Sequence, residues 1–329
     1  MIGGILVYAE TIDSKIHPIS FELLGKAREI AEKLGLEVWS VIMGFNIREH
    51  ARDLIYYGAD KVYVYDDESL KDFDVVMYKD VLVKLVREIE PEIFLVGATP
   101  LGRSLAPRVS AALDTGLTAD CIDLQVDDEG NLIQIRPAFT GNILAHIKTM
   151  SKPIMSTIRY KVMSMPTRDE NRSGEIVVKD PPKKIDTGIR ILGRISRRAV
   201  NITDAEVIVS AGRGLKKRED LKMLEELANL LGGVLGASRP LVDEGWITKD
   251  HQVGFSGNTV KPRLYIACGI SGSPQHLAGM RDSQIIVAIN ADPSAPIFRY
   301  ADYGVVGDLY EVVPKLISMI KRVKGVGGS

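Results

Sequence analysis

The stretch GISGSPQHLAGM, residues 269–280, follows the apolar run RLYIACG and sets one histidine, His276, among glycines, serines and a proline. Gly269, Ser271, Gly272 and Ser273 are small enough to let backbone N–H groups approach a ligand closely, and Pro274 fixes the start of a helix over QHLAGM. His276 then falls in the first turn, where the helix dipole disfavours imidazolium unless the ligand is itself anionic. A lone histidine in that position is also an ordinary structural residue.

Other loops have comparable chemistry. After AEVIVS comes AGRG, in which Gly212 and Gly214 flank Arg213 just before a helix. Free N–H groups and a cation there suit an anion, although the spacing is neither a Walker loop nor G-x-G-x-x-G, and a tight turn with a solvated Arg is the plain alternative. GGVLGASRPLVDEGW places Ser238 and Arg239 after a glycine-rich strand, with Pro240 stiffening the residues after it. A guanidinium there can lie flat on an aromatic ligand or supply charge to one, or can be a surface Arg. HQVGFSGNTVKPRLY sets Ser256 between Gly254 and Gly257, a pattern that a hairpin would also explain. Asn290 ends the strand in AIN, and Asp308 in YGVVGDLYEVV reads as a helix N-cap.

These loops need elements to position them. From the first residues the chain alternates short apolar runs (GGILVYAE, LEVWSVIMG, EIFLVGATP) with amphipathic stretches (SFELLGKAREIAEKLG, DVVMYKDVLVKLVREIEP, LGRSLAPRVSAALD). Strands joined by helices make a parallel sheet. Pro91 closes one helix, and Gly97 to Gly102 read as a loop. From Asp120 to Met163 runs such as NLIQIRPAF and IMSTIRYKVM predict antiparallel strands finishing a first domain. VKDPPKKIDTGIRILGRISRRAV, with its proline pair and basic residues, marks a boundary near Leu192. The α/β rhythm then restarts with AEVIVS, REDLKMLEELANLLGG, RLYIACG, QIIVAIN and DLYEVVPKLISMIKRVKG, before a frayed KGVGGS tail. The expectation is an α/β protein of two domains, 1–192 and 193–329, each a mainly parallel sheet flanked by helices, the second Rossmann-like.

Composition narrows the partners. With 42 basic against 43 acidic residues, a formal net charge of -1 gives no reason to expect nucleic acid. The two cysteines, Cys121 and Cys268, sit in or beside apolar runs without further ligands at zinc spacing. No basic leader precedes the first strand and no apolar run approaches the ~18 residues a membrane helix needs, which predicts a cytoplasmic protein without membrane insertion.

Taken together, LLGGVLGASRPLVDEGW, HQVGFSGNTVKPRLYIACGISGSPQHLAGM and IIVAINADPSAPIFRYADYGVVGDLYEVVP resemble the FAD-binding half of the electron transfer flavoprotein alpha subunit. GRSLAPRVSAALDTGLTADC and RPAFTGN carry the likeness more loosely into the first half. The resemblance implies a noncovalent FAD held by the second domain and a first domain packed on a beta subunit. It implies an electron carrier between dehydrogenases and quinone- or ferredoxin-linked oxidoreductases, with no catalytic residues of its own. By the same resemblance Arg213 and Ser238 serve the pyrophosphate, Arg239 lies against the flavin, and Ser256 offers its hydroxyl to N5. His276 sits near the pyrimidine edge, where negative charge accumulates on reduction, and Asn290 and Asp308 serve the adenosine. Val253, Gly254, Phe255, Ser271, Gly272, Ser273, Pro274, Gln275 and Leu309 complete the cofactor-binding set. Phe255-Ser256 stands where the family commonly has Gln-Thr, and SGSPQH departs from the usual Ala-Ile before Gln. Those departures, with RPAFTGNILAHI and STIRYKVM, resemble the branch that includes nitrogen-fixation-associated and electron-bifurcating members. The competing reading is an NAD-dependent α/β enzyme. Against it stands the lack of a Lys, Cys or Asp–His pairing placed as nucleophile and base near these loops.

Overall fold

The computed structural model describes residues 3–138, 143–182, 187–189, 191–192 and 202–325. The chain divides into two compact units, Met1–Arg194 and Ile195–Ser329. Part of the Pro/Gly-containing segment around Leu192, the TGN of RPAFTGN with its preceding Phe139, and most of the KGVGGS tail lie outside the described residues.

The first unit runs β1 (Gly4–Ala9), a short ribbon of β2 (Thr11–Ile12) and β3 (Lys15–Ile16), α1 (Ile19–Leu34), β4 (Glu37–Gly44), α2 (Ala51–Tyr56), β5 (Lys61–Asp66), α3 (Val75–Ile89), β6 (Ile93–Gly97) and α4 (Pro100–Ala112). Then come β7 (Leu117–Cys121), β8 (Asp123–Val126), β9 (Leu132–Ala138), β10 (Ile143–Lys148), β11 (Ile154–Ile158) and β12 (Glu175–Val178). Seven strands pair in the order β12-β5-β4-β1-β6-β11-β7, every neighbour parallel. β1, GILVYA, is buried along its whole length because helices cover both faces of the sheet. Ile5, Val7 and Ala9 pack with Leu23, Leu24 and Ala27 of α1. Leu6 and Tyr8 pack on the other side with Val81, Leu82 and Leu85 of α3 and Leu105 and Val109 of α4.

Two sequence expectations change here. The antiparallel pattern holds for the separate sheet β10-β9-β8, but β11, from IMSTIRYKVM, inserts parallel between β6 and β7. Met155, Ser156, Thr157 and Ile158 are all buried, so this strand has no solvent face and belongs to the large sheet. Gly102 lies in the first turn of α4 rather than in a loop. Its N–H donates to the Thr99 N-cap hydroxyl at 2.9 Å, and a Cβ there would lie 1.9 Å from the Gly97 carbonyl oxygen.

The second unit runs β13 (Val207–Ala211), α5 (Leu221–Leu230), β14 (Val234–Ala237), α6 (Arg239–Asp243), β15 (Leu264–Cys268), α7 (Pro274–Leu277), β16 (Ile285–Asn290), β17 (Tyr303–Val306) and α8 (Leu309–Lys324). Its five strands form one parallel sheet, β14-β13-β15-β16-β17. Leu224 and Leu227 of α5 and Val313 and Ile317 of α8 cover one face, and Ile270, Leu277, Met280 and Ile297 close the other. Gly325 ends α8 in the left-handed conformation, φ 65°. Among the described residues no helix is long and apolar enough to cross a membrane.

Candidate functional site

The chain leaves β13 through α5 to β14 on one side, and β15 lies on β13's other side. The crevice at which such connections diverge, outside the carboxyl ends of the strands, is where open parallel sheets bind ligands. Apart from the Val253–Ser256 loop, every residue singled out in the sequence follows the carboxyl end of one of these strands: Arg213 after β13, Ser238 and Arg239 after β14, Ser271 to His276 after β15, Asn290 at the end of β16, Asp308 and Leu309 after β17.

Glycine sets the distances in this crevice. Gly212 donates its N–H to the Cys268 carbonyl at 2.9 Å, and Gly214 donates to the Gly269 carbonyl at 3.0 Å. A Cβ on Gly212 would lie 2.2 Å from the Gly269 oxygen, and one on Gly214 would lie 2.7 Å from the Gly269 Cα. The two loops therefore touch backbone to backbone, and any side chain would part them. Leu309 is buried beneath this crossing. Gly272, at φ 86°, is held against Ile297, whose N–H donates to the Ser271 carbonyl at 3.0 Å. Asn290 closes the same loop, its Nδ2 donating to the Ile270 carbonyl at 2.9 Å. Asp308 caps α8 by accepting from the Tyr310 N–H at 2.8 Å, as its place in the sequence predicts.

The loop carrying Ser256 is not a hairpin. Val253 donates to the Ala237 carbonyl at 2.9 Å and Phe255 donates to the Gln275 carbonyl at 2.7 Å, so the segment links the end of β14 to α7. Val253 and Gly254 are buried there, while Phe255 is 62% exposed and Ser256 accepts from Gln252 Nε2 at 3.0 Å. Ser238 is buried, and its N–H donates to the Ala211 carbonyl at 2.9 Å. Arg213, Ser271, Ser273, Pro274 and Gln275 follow the strand ends and are all exposed. Arg239 is exposed as well, its Nε donating to Asp243 one turn along α6 at 3.2 Å.

His276 is the buried ionisable side chain of the set. It is 5% exposed, and the Tyr265 hydroxyl lies 2.9 Å from its Nε2. Burial pushes its pKa down to about 4, with the Val253 backbone opposing, so the ring is neutral at physiological pH. The sequence suggests an imidazole whose charge responds to pH; burial removes that response. Cys268 completes β15, and burial pushes its thiol up to about 12, which leaves it inert.

Residues 5–184 match the electron transfer flavoprotein domain and residues 201–281 match the electron transfer flavoprotein FAD-binding domain. The electron transfer flavoprotein subunit alpha of Thermoanaerobacterium thermosaccharolyticum is 48% identical over 97% of this chain and 98% of its own. The chain belongs to the electron transfer flavoprotein alpha-subunit family. Two further relatives show its breadth. The lactate dehydrogenase (NAD(+),ferredoxin) subunit LctC of Acetobacterium woodii is 47% identical over 97% of this chain and 77% of that protein. Protein FixB of Azotobacter vinelandii is 42% identical over 98% of this chain and 92% of its own.

Family membership makes this an electron transfer subunit whose cofactor is FAD. Alpha subunits of the family pair with a beta subunit. The residues present fit the cofactor on two observations. The loops at the strand ends meet through glycine backbone that any Cβ would force apart, and the buried Nδ1 of His276 lacks a hydrogen-bond partner of good geometry. Sequence reasoning missed Gln252, Tyr265 and Tyr310. Tyr310 accepts from the Lys216 N–H at 2.6 Å and donates to Asp220 at 2.5 Å, fastening the Arg213 loop to α8. Tyr265 is the one ring in the otherwise small and aliphatic strand LYIAC, which is the signal that could have found it.

Proposed function

We propose that residues 193–329 hold FAD along the carboxyl ends of the five strands, and that residues 1–192 pack on the beta subunit. In this reading Arg213 and Ser238 take the pyrophosphate, and Asn290, Asp308 and Leu309 the adenosine. Arg239, Ser256 and His276 flank the flavin, with Phe255 and the Ser271–Gln275 backbone closing around it. The backbone-to-backbone crossing of Gly212 and Gly214 with Gly269 carries the reading. It brings the Arg213 cation beside the Ser271–Gln275 loop at the strand ends with no side chain between the two backbones.

FAD, when bound, supplies one- and two-electron redox chemistry. The chain's residues then bind, orient and tune it. A dehydrogenase-type chemistry carried by this chain's own side chains finds no support in Cys268 or His276, whose burial keeps the thiol protonated and the imidazole neutral. The name of the Acetobacterium woodii relative, which pairs NAD(+) with ferredoxin, favours the electron-bifurcating branch, with an NAD-linked and a ferredoxin-type partner. Cytoplasmic operation beside such soluble partners belongs to the same reading.

FAD titration into cofactor-stripped protein, alone and with its beta subunit, tests the cofactor assignment. Saturable binding that Gly212→Val removes is expected, and undiminished binding in that variant would overturn the placement. For the branch, the reconstituted complex should reduce a low-potential acceptor with NADH only while a higher-potential acceptor is being reduced. Reduction of either acceptor independently would make it a simple carrier.

A further inference from the structure

Tyr265 lies wholly inside the second unit, within β15, with its hydroxyl 2.9 Å from His276 Nε2. A neutral imidazole has one N–H and one lone pair, so two arrangements of this bond are open. Either the phenol donates to Nε2 and the ring proton sits on Nδ1, or Nε2–H donates to the phenol oxygen and Nδ1 keeps a lone pair. The chemistry separates them. A phenol is a stronger acid than a neutral imidazole N–H, and an imidazole nitrogen is a stronger base than a phenol oxygen. The proton is therefore shared in the direction Tyr O–H to His N.

The surroundings favour the same direction. The Val253 backbone beside the ring favours a proton on it, and the Val253 N–H is already committed to the Ala237 carbonyl at 2.9 Å. The Val253 backbone therefore meets the ring as an acceptor, which favours a proton on the imidazole. That contact falls short of hydrogen-bond geometry, and Nδ1 is buried without a partner that meets it. A buried donor left without a partner costs free energy that a bound ligand can recover.

We propose that Tyr265 is a positioning residue: by donating its hydroxyl proton to Nε2 it fixes His276 as the neutral Nδ1–H tautomer, whose free N–H meets an acceptor atom of the bound flavin. The second clause rests on the proposed placement of FAD; the first does not. His276 then contributes a fixed dipole to the flavin's surroundings, with no charge that varies across physiological pH.

Long-range proton–nitrogen NMR of the ring, on protein carrying nitrogen-15 histidine, reads the tautomer directly. In cofactor-stripped wild type at neutral pH the expected pattern is a lone-pair nitrogen at Nε2 and a protonated nitrogen at Nδ1. Tyr265→Phe should give a mixture of tautomers and weaken FAD binding about fivefold. A proton on Nε2 in wild type, or an unchanged Nδ1–H pattern in Tyr265→Phe, would overturn the assignment to Tyr265. The wild-type spectrum decides the tautomer even where the variant is unstable. Adding FAD should shift the Nδ1–H resonance. If the tautomer is as proposed but FAD binds without moving that resonance, the flavin contact is overturned while the pairing with Tyr265 stands.

Discussion

Glu10 follows β1 in the first unit with its side chain shut away from solvent. One carboxyl oxygen accepts from the Thr99 hydroxyl at 2.5 Å, and the other is buried without a partner. Burial pushes its pKa from 4.5 to about 7, with the Thr99 bond opposing. The folded protein thus binds a proton that the unfolded chain has released between those two values, so stability is full below the unfolded pKa and falls as pH rises through the folded one. At 1.36 kcal/mol per decade, the span from 4.5 to about 7 is about 3 kcal/mol. Glu10→Gln keeps the shape and an acceptor for Thr99 but cannot titrate, so it should flatten this part of the profile. Trp39 is buried in the first unit, and the other tryptophan, Trp246, belongs to the second. Urea unfolding followed by Trp39 fluorescence in a Trp246→Phe background, at intervals from pH 5 to pH 8, therefore reports the right unit. The difference in stability between the parent protein and Glu10→Gln cancels every other titrating group. Parallel profiles for the two would refute a buried, proton-holding carboxyl.

Three further outcomes are expected. Gly272→Ala puts a Cβ 2.5 Å from the Ile297 nitrogen at a φ of 86° and should weaken FAD binding more than about tenfold in a fluorescence titration. Arg239→Ala should lower the first-electron potential of the flavin; because the guanidinium is exposed and paired with Asp243, about 1 kcal/mol, or about 40 mV, is expected in a spectroelectrochemical titration with FAD content checked, and an unchanged or raised potential would detach Arg239 from the flavin. Tyr310→Phe removes the hydroxyl between Lys216 and Asp220 and should destabilise the second unit by about 1 to 2 kcal/mol, read from Trp246 fluorescence in urea.

The α/β rhythm is legible in the sequence because strands covered on both faces are short apolar runs and the helices between them are amphipathic. GILVYA and VIVSA need no context to be read as buried strands. The parallel placement of β11 is not legible, since nothing in IMSTI distinguishes a strand inserted between two others from one at the end of a meander. Gly212, Gly214, Gly269 and Gly272 are legible as places of close backbone approach, but the free N–H groups expected of the Gly212–Gly214 turn are donated to the Cys268 and Gly269 carbonyls instead. Their partners cannot be read, because the Gly214–Gly269 contact spans 55 positions and forms only when two strands pair. His276 is visible as a residue type and invisible as a chemical state. Its neutrality comes from burial and its proton's place from Tyr265, which reads in sequence as one more core residue.

The two units solve the same topological problem in opposite ways. In the first, the chain turns from β1 to β4 on one side and later crosses to β6 on the other, so its switch point lies between β1 and β6. The residue following β1 is Glu10, and its carboxyl reaches the Thr99 hydroxyl at the start of the helix that follows β6. That bond ties together the carboxyl ends of both strands with buried side chains, and it places an acid where a phosphate would otherwise meet the N-terminus of α4. In the second unit the residues following β13 and β15 are Gly212 and Gly269, which meet through backbone alone and leave the exposed Arg213 at the strand ends. A dinucleotide needs room for its pyrophosphate at this position, and in the first sheet the Glu10–Thr99 pair occupies it. The two sheets thus differ in the first residue after β1 and after β13: a carboxylic acid in one and a glycine in the other. Replacing Glu10 by glycine would remove the acid from the first unit but not supply the glycine crossing of the second, so the variant should still bind no second FAD when titrated; a second, saturable FAD site in Glu10→Gly would show that the carboxyl alone closes the first switch point.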